Sequence, residues 1–264
     1  MSAVAAAEPR FKPFLLLATR AEDDAANAEY EAIRMFAALR PSELARVRLE
    51  RAPLGDVRLS DYSGVLIGGG PFNASDAPAS KSVEQRRAES EIAALLDQVV
   101  SADFPFLGLC YGVGTLGKKI GATVNRDFGE EVGPVEIQLT EAGRDDPLLA
   151  DVPEAFMALA GHKEAIAQLP ADAVLLASSA PTPVQMFRVG ANVYATQFHP
   201  ELDVAGVIQR IHIYRDCGYF DPAEFDAVIA RAESEAIEHP GRILENFARR
   251  YAAPLEHSAA THAN

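Results

Sequence analysis

Three short apolar runs constrain what this chain can fold into: FLLLA at 14–18, GVLI at 64–67 and FPFLGL at 104–109. Each is too short for a helix and stops at a turn, after which apolar residues recur at helical spacing. A strand apolar on both sides needs cover on both faces, as strands of parallel sheets have. Strand, turn and helix alternate over the first half. That alternation predicts an α/β fold, with a mostly parallel sheet and helices on both faces.

Along the chain, residues 1–13 read as a loose leader. TRAE at 19–22 has the capping-box pattern, starting a helix that runs to about Leu39 with Tyr30, Ile33, Phe36 and Ala37 on one face. Pro41 ends it. A second strand is expected at 47–51, a long helix at 83–100, and further strands within 123–140. Residues 184–189 and 193–198 read as a hairpin turning at Gly190-Ala191-Asn192. Helices are expected at 204–214, 222–232 and 243–251, so 216–252 forms a C-terminal helical appendage and 253–264 a frayed tail.

Composition excludes several functions. The chain has 24 Lys+Arg against 38 Asp+Glu, a formal charge of −14, which argues against nucleic-acid or anionic-membrane binding. No apolar run approaches the ~20 residues that span a bilayer, and the N-terminus does not read as a signal peptide. Two distant cysteines, Cys110 and Cys217, argue against a disulfide framework and fit a cytoplasmic, reducing home. Neither has Cys or His at ligand spacing, so no metal and no cofactor is expected.

The most informative stretch is PFLGLCYGVG at 105–114. A strand stops at Cys110, with glycines at 108, 112 and 114. Small residues there permit the sharp strand-to-helix turn that presents a nucleophile at the carboxyl edge of a sheet. The following helix would aim its N–H groups at the sulfur and favour the reactive thiolate. The alternative is a small buried hydrophobe, which is also the reading for Cys217. A thiol nucleophile wants a histidine and a group to orient it. His257 and His262 lie in the tail, and His212 and His239 in helical, charged contexts. His199, in QFHPE at 197–201, ends a strand, and Glu201 can turn back to its ring; a surface turn with a helix-capping Glu is the alternative. His162, in GHKE at 161–164, reads as a substrate contact or as a polar loop. GGGP at 68–71 ends another strand and offers backbone N–H groups to a developing oxyanion, with the N–H of Tyr111 as second donor. A plain glycine turn is the alternative. GGGPFNAS lacks the Gly-Lys-Ser/Thr ending of a phosphate-binding loop.

Together, GGGP at 68–71, PFLGLCYG at 105–112 and QFHPE at 197–201 resemble the motifs of class I (triad-type) glutamine amidotransferases, in the same order and spacing. The resemblance covers roughly 14–215. GHKE at 161–164 looks most like the amidotransferase domain of GMP synthase and its stand-alone relatives. The resemblance implies a flavodoxin-like three-layer sandwich. It implies that Cys110 attacks the side-chain amide of L-glutamine, that His199 carries the proton to the leaving ammonia, and that Glu201 orients His199. Gly70 and Tyr111 would hold the oxyanion, and His162 would lie near the site. The family's glutamine four residues after the cysteine, a substrate contact, is Gly114 here. That departure opens a different γ-glutamyl compound as substrate, so a γ-glutamyl hydrolase is the alternative enzyme and a silent regulatory relative the non-enzymatic one. Within 264 residues there is no ATP-binding motif, so the ammonia acceptor is expected on a separate synthetase chain. The acidic stretch 21–31 either lines the site mouth or opposes the helix dipole. The sequence leaves the oligomeric state open.

Overall fold

The computed structural model describes residues 8–215 and 220–255. Cys217, His257 and His262 lie outside them. In chain order the elements are β1 (Phe14–Ala18), α1 (Asp23–Phe36), β2 (Leu44–Arg48), β3 (Gly64–Ile67), α2 (Val83–Ser101), β4 (Phe106–Leu109), α3 (Tyr111–Lys119), β5 (Thr123–Asn125), β6 (Glu130–Leu139), α4 (Glu141–Arg144), β7 (Ala155–His162), β8 (Ala165–Gln168), β9 (Ala173–Ser178), β10 (Met186–Val189), β11 (Val193–Thr196), α5 (Val204–Ile213), α6 (Phe225–Ala232) and α7 (Gly241–Tyr251).

Nine strands form one sheet in the order β2-β1-β3-β4-β11-β10-β9-β6-β7. The first five are parallel neighbours. Only β10 and β6 run against the rest, so the sheet is mostly parallel, as the alternation predicts. Because successive side chains point to opposite faces, Phe14 and Leu16 of β1 join one core and Leu15 and Leu17 the other. On the first face lie Ile33 of α1 and Ile243, Leu244 and Phe247 of α7. On the second lie Ile92, Leu95 and Val99 of α2 with Val113 and Leu116 of α3. These are the three layers.

Several boundaries shift for physical reasons. The helix expected from the TRAE signal starts at Asp23, and Glu22, its N-cap, makes no side-chain cap. Thr19 is instead fully buried, and its hydroxyl donates to the Gly69 carbonyl at 3.2 Å. The second strand lies at Leu44–Arg48 rather than 47–51, because its parallel register pairs Phe14 with Leu44. The segment 222–232 begins as a single 3₁₀ turn, Pro222–Glu224, ahead of α6. The helices after 216 are built into the domain: Phe247 stacks on Phe14 at 5.7 Å between ring centroids. Residues 10–13 are tied down rather than loose. Arg10 pairs with Glu43 at 2.7 Å, and the Lys12 amide donates to the Ala253 carbonyl at 2.8 Å. A smaller apolar cluster joins Leu159 of β7, Val207 and Ile211 of α5 with Leu202 just ahead of it, and Val228 and Ala232 of α6. No described helix is long and apolar enough to cross a membrane.

Candidate active site

The central strands β3, β4 and β11 are neighbours, so the segments that follow them meet at one carboxyl edge, where ligand sites form in such sheets. Those segments are the GGGP turn, Cys110 and the QFHPE run. At Cys110 the backbone reverses with φ 50° and ψ −86°, a conformation that costs about 1–3 kcal/mol for a residue with a Cβ. The turn is held by the Cys110 amide donating to Thr196 (2.8 Å) and the Val113 amide donating to Cys110 (2.9 Å). It is tight enough that a Cβ on Gly108 would fall 2.9 Å from the Gly112 backbone. The helix α3 therefore starts directly at the sulfur, and Cys110 is free and half-buried.

His199 is fixed through its backbone: its amide donates to the Leu159 carbonyl at 2.9 Å. Nδ1 lies 2.8 Å from Glu201 Oε1, and both side chains are buried. An ionised carboxylate only accepts, so Nδ1 carries the proton and Nε2 is left for the sulfur. Burial pushes the imidazole down, yet the Glu201 carboxylate and the Cys110 sulfur outweigh it and lift His199 to about 9. For Glu201, burial pushes up but His199 and Arg210 hold it well below the usual carboxylate range. Arg210, a residue the sequence reading passed over, donates from Nη2 to the same Oε1 at 3.0 Å. Its Nη1 stands 3.2 Å from Nδ1, a contact rather than a hydrogen bond, because Nδ1 is itself a donor.

The same network reaches the glycine turn. Fully buried Glu29 accepts from Arg20 Nε (2.9 Å) and from the Gly69 amide (3.1 Å), and lies 3.7 Å from Arg210. A Cβ on Gly69 would fall 2.7 Å from Arg20 and 2.8 Å from the His199 ring, and one on Gly70 would strike the Thr19 hydroxyl. Gly70, Cys110 and His199 line one cavity. None of residues 21–31 lines it. Asp23 pairs instead with Arg48 and Arg51, and Glu31 with Arg34, while Glu22 reaches the lining residue Tyr214.

His162 is placed elsewhere. Its Nε2 lies 2.7 Å from Glu130 and its Nδ1 2.9 Å from the Glu164 carbonyl, while Gln185 donates to Glu130 at 2.6 Å. Both ring nitrogens are engaged, and the cavity is lined by Ala160 and Gly161 instead. His162 ties β6 to β7 through these contacts. Glu164 accepts from the Ala74 and Ser75 amides at 2.8 and 2.7 Å. A Cβ on Gly114 would strike the Glu164 carboxylate and fall 3.0 Å from the Ala74 Cβ. The glycine at 114 is thus the space that Glu164 fills. Gln197, also missed in the sequence, is buried and points its amide nitrogen at the Cys110 sulfur, 3.9 Å away. Among the described residues no group of three or more His, Cys, Asp or Glu side chains could hold a metal ion.

A family model for glutamine amidotransferase class I matches residues 28–206. The chain is similar to the glutamine-hydrolyzing GMP synthase of Aeropyrum pernix, 32% identical over 140 residues, covering 53% of this chain and 24% of that protein. It is also similar to a glutamine-hydrolyzing GMP synthase subunit from Pyrococcus abyssi, 26% identical over 151 residues, covering 57% of this chain and 72% of that one. The chain spans about a quarter of the length of the first curated relatives it matches. In fold it resembles a glutamine amidotransferase from Thermotoga maritima, with a TM-score of 0.72, 20% identity, and coverage of 91% of this chain and 98% of that one.

Proposed function

The chain belongs to the class I glutamine amidotransferase family, and from that premise we propose that Cys110, His199 and Glu201 are its catalytic triad and that L-glutamine is hydrolysed through a γ-glutamyl thioester. The Cys110 thiolate attacks the side-chain amide carbon. The oxyanion formed is held by the N–H groups of Gly70 and Tyr111. His199 gives its Nε2 proton to the nitrogen, the carbon–nitrogen bond breaks, and ammonia leaves. Water, deprotonated by His199, then releases glutamate and the thiolate. Glu201 fixes the tautomer and balances the imidazolium. The observation that carries this reading is the strained Cys110 at a helix N-terminus, sharing a cavity with a buried His199 whose Nδ1 is bonded to Glu201.

The ammonia goes to a separate synthetase chain; support comes from the likeness to a relative that is itself one subunit of a synthase. A free catalytic thiol fits a reducing, cytoplasmic compartment. One observation favours a second reading, a γ-glutamyl hydrolase: Glu164 fills the space over Gly114 that a family glutamine side chain would need. The test is ammonia and glutamate release from L-glutamine by the parent and by Cys110→Ala. Release by the parent alone is expected; equal release by both would refute the triad.

A further inference from the structure

We infer that the site takes γ-glutamyl amides whose nitrogen carries an apolar substituent, and that the wall formed by Val132, Leu202, Val207, Ile211 and Phe220 is the subsite for it. This rests on the triad proposed above and on the second, γ-glutamyl hydrolase reading of its substrate. In that chemistry His199 protonates the leaving nitrogen, so whatever the nitrogen carries projects to the imidazole side of the sulfur, away from the acyl group. The cavity that holds Cys110 and His199 is also lined by these five apolar residues.

Its chemistry is one-sided. The five residues named are apolar, and three of them belong to the cluster that packs α5 and α6 over β7. The polar side chains that reach the cavity are already committed. Arg20 is bonded to Glu29 and to the Tyr214 hydroxyl at 3.2 Å, and Arg210 to Glu201. Among the described residues no Asp or Glu lines the cavity itself, Glu22 lying behind the Tyr214 hydroxyl. A diamine tail would meet two guanidinium groups, at a cost burial makes worse. An alkyl or aryl tail would meet carbon. The products are then a primary amine bearing an apolar group, released on protonation by His199, and glutamate after hydrolysis of the thioester.

The experiment measures kcat/KM for L-glutamine and for its N-methyl, N-ethyl and N-butyl γ-amides, with γ-glutamylputrescine as the charged comparison. Burial of each added methylene is expected to raise kcat/KM roughly fourfold until the wall is reached, with the putrescine amide no better than glutamine. Val207→Phe, which fills the cavity, is expected to lower the butylamide-to-glutamine ratio at least tenfold. Turnover of glutamine with a flat or falling alkyl series overturns this inference and leaves the triad standing. If no amide turns over, the same series is run as protection of Cys110 against a diazoketone analogue of glutamine: protection rising with chain length supports the subsite, and equal protection overturns it. A Cys110 that the analogue never modifies overturns both readings.

Discussion

The change Glu201→Gln isolates what the buried carboxylate does for His199. In the parent, Glu201 Oε1 accepts from Nδ1 at 2.8 Å and from Arg210 at 3.0 Å. It is the largest influence holding His199 at about 9 against the downward pull of burial. The lift from the ordinary imidazole value of 6.5 to about 9 is a preference for the imidazolium of a few kcal/mol. A neutral amide keeps the shape and removes the charge. Burial is then opposed by the Cys110 sulfur alone, and Arg210 stands against the ring with Glu29 as its remaining partner. The ring is expected to titrate at or below 6.5. Because the imidazolium forms as the thiol yields its proton and then protonates the leaving nitrogen, kcat/KM for glutamine should fall on the order of a hundredfold. The assay is carbon- or nitrogen-detected NMR titration of His199, assigned with His199→Gln, beside the kinetics. A midpoint within half a unit of the parent, or a rate loss below tenfold in a variant that melts like the parent, would refute the reasoning.

Four further outcomes follow from the same geometry. A group lifted on folding stabilises below its unfolded value and loses that contribution as pH rises through the folded one, so His199 should make the melting temperature fall as pH passes from about 7 through about 9; a flat profile, or equal falls in parent and Glu201→Gln, counts against it. Gly108→Ala forces a Cβ to 2.9 Å from the Gly112 backbone and should cost about 1–3 kcal/mol in urea unfolding, with activity lost alongside. Gly114→Gln displaces the Glu164 carboxylate from the Ala74 and Ser75 amides, so KM for glutamine should rise rather than fall; a lower KM would mean the loop adapts. Phe247→Ala empties a fully buried position against Phe14 and should cost about 3–5 kcal/mol, whereas a merely appended helix would lose little.

What the sequence carried, and what it did not, divides by the range of the interactions. The strands at 14–18 and 64–67 end where expected, because a run apolar on both faces is readable without knowing its neighbours. The elbow at Cys110 is equally local, since glycines at 108 and 112 declare a strand and a helix that touch. The His199–Glu201 pair needed only two positions of separation, and sheet order brought it to the sulfur through β4 and β11. Failures begin where a partner lies far along the chain. Thr19 and Arg20 look like a helix start, yet they are drawn inward by Gly69 and Glu29. His162 looks like a substrate contact, yet it is claimed by Glu130, thirty-two residues upstream.

Glu29 shows why this matters for function. In the sequence it is one more acid in a helix that opens with acids. In the fold it is fully buried, and a single carboxylate oxygen takes the Gly69 amide and Arg20 while standing within 3.7 Å of Arg210. Arg210 in turn holds the Glu201 oxygen that orients His199. The glycine turn and the His199–Glu201 pair therefore share one buried set of charges, and neither can shift without leaving a charge unpaired away from water. Catalysis by preorganised dipoles requires that kind of mutual constraint. It explains why residues with no place in the motifs, Arg20, Glu29 and Arg210, occupy the most costly positions around the site.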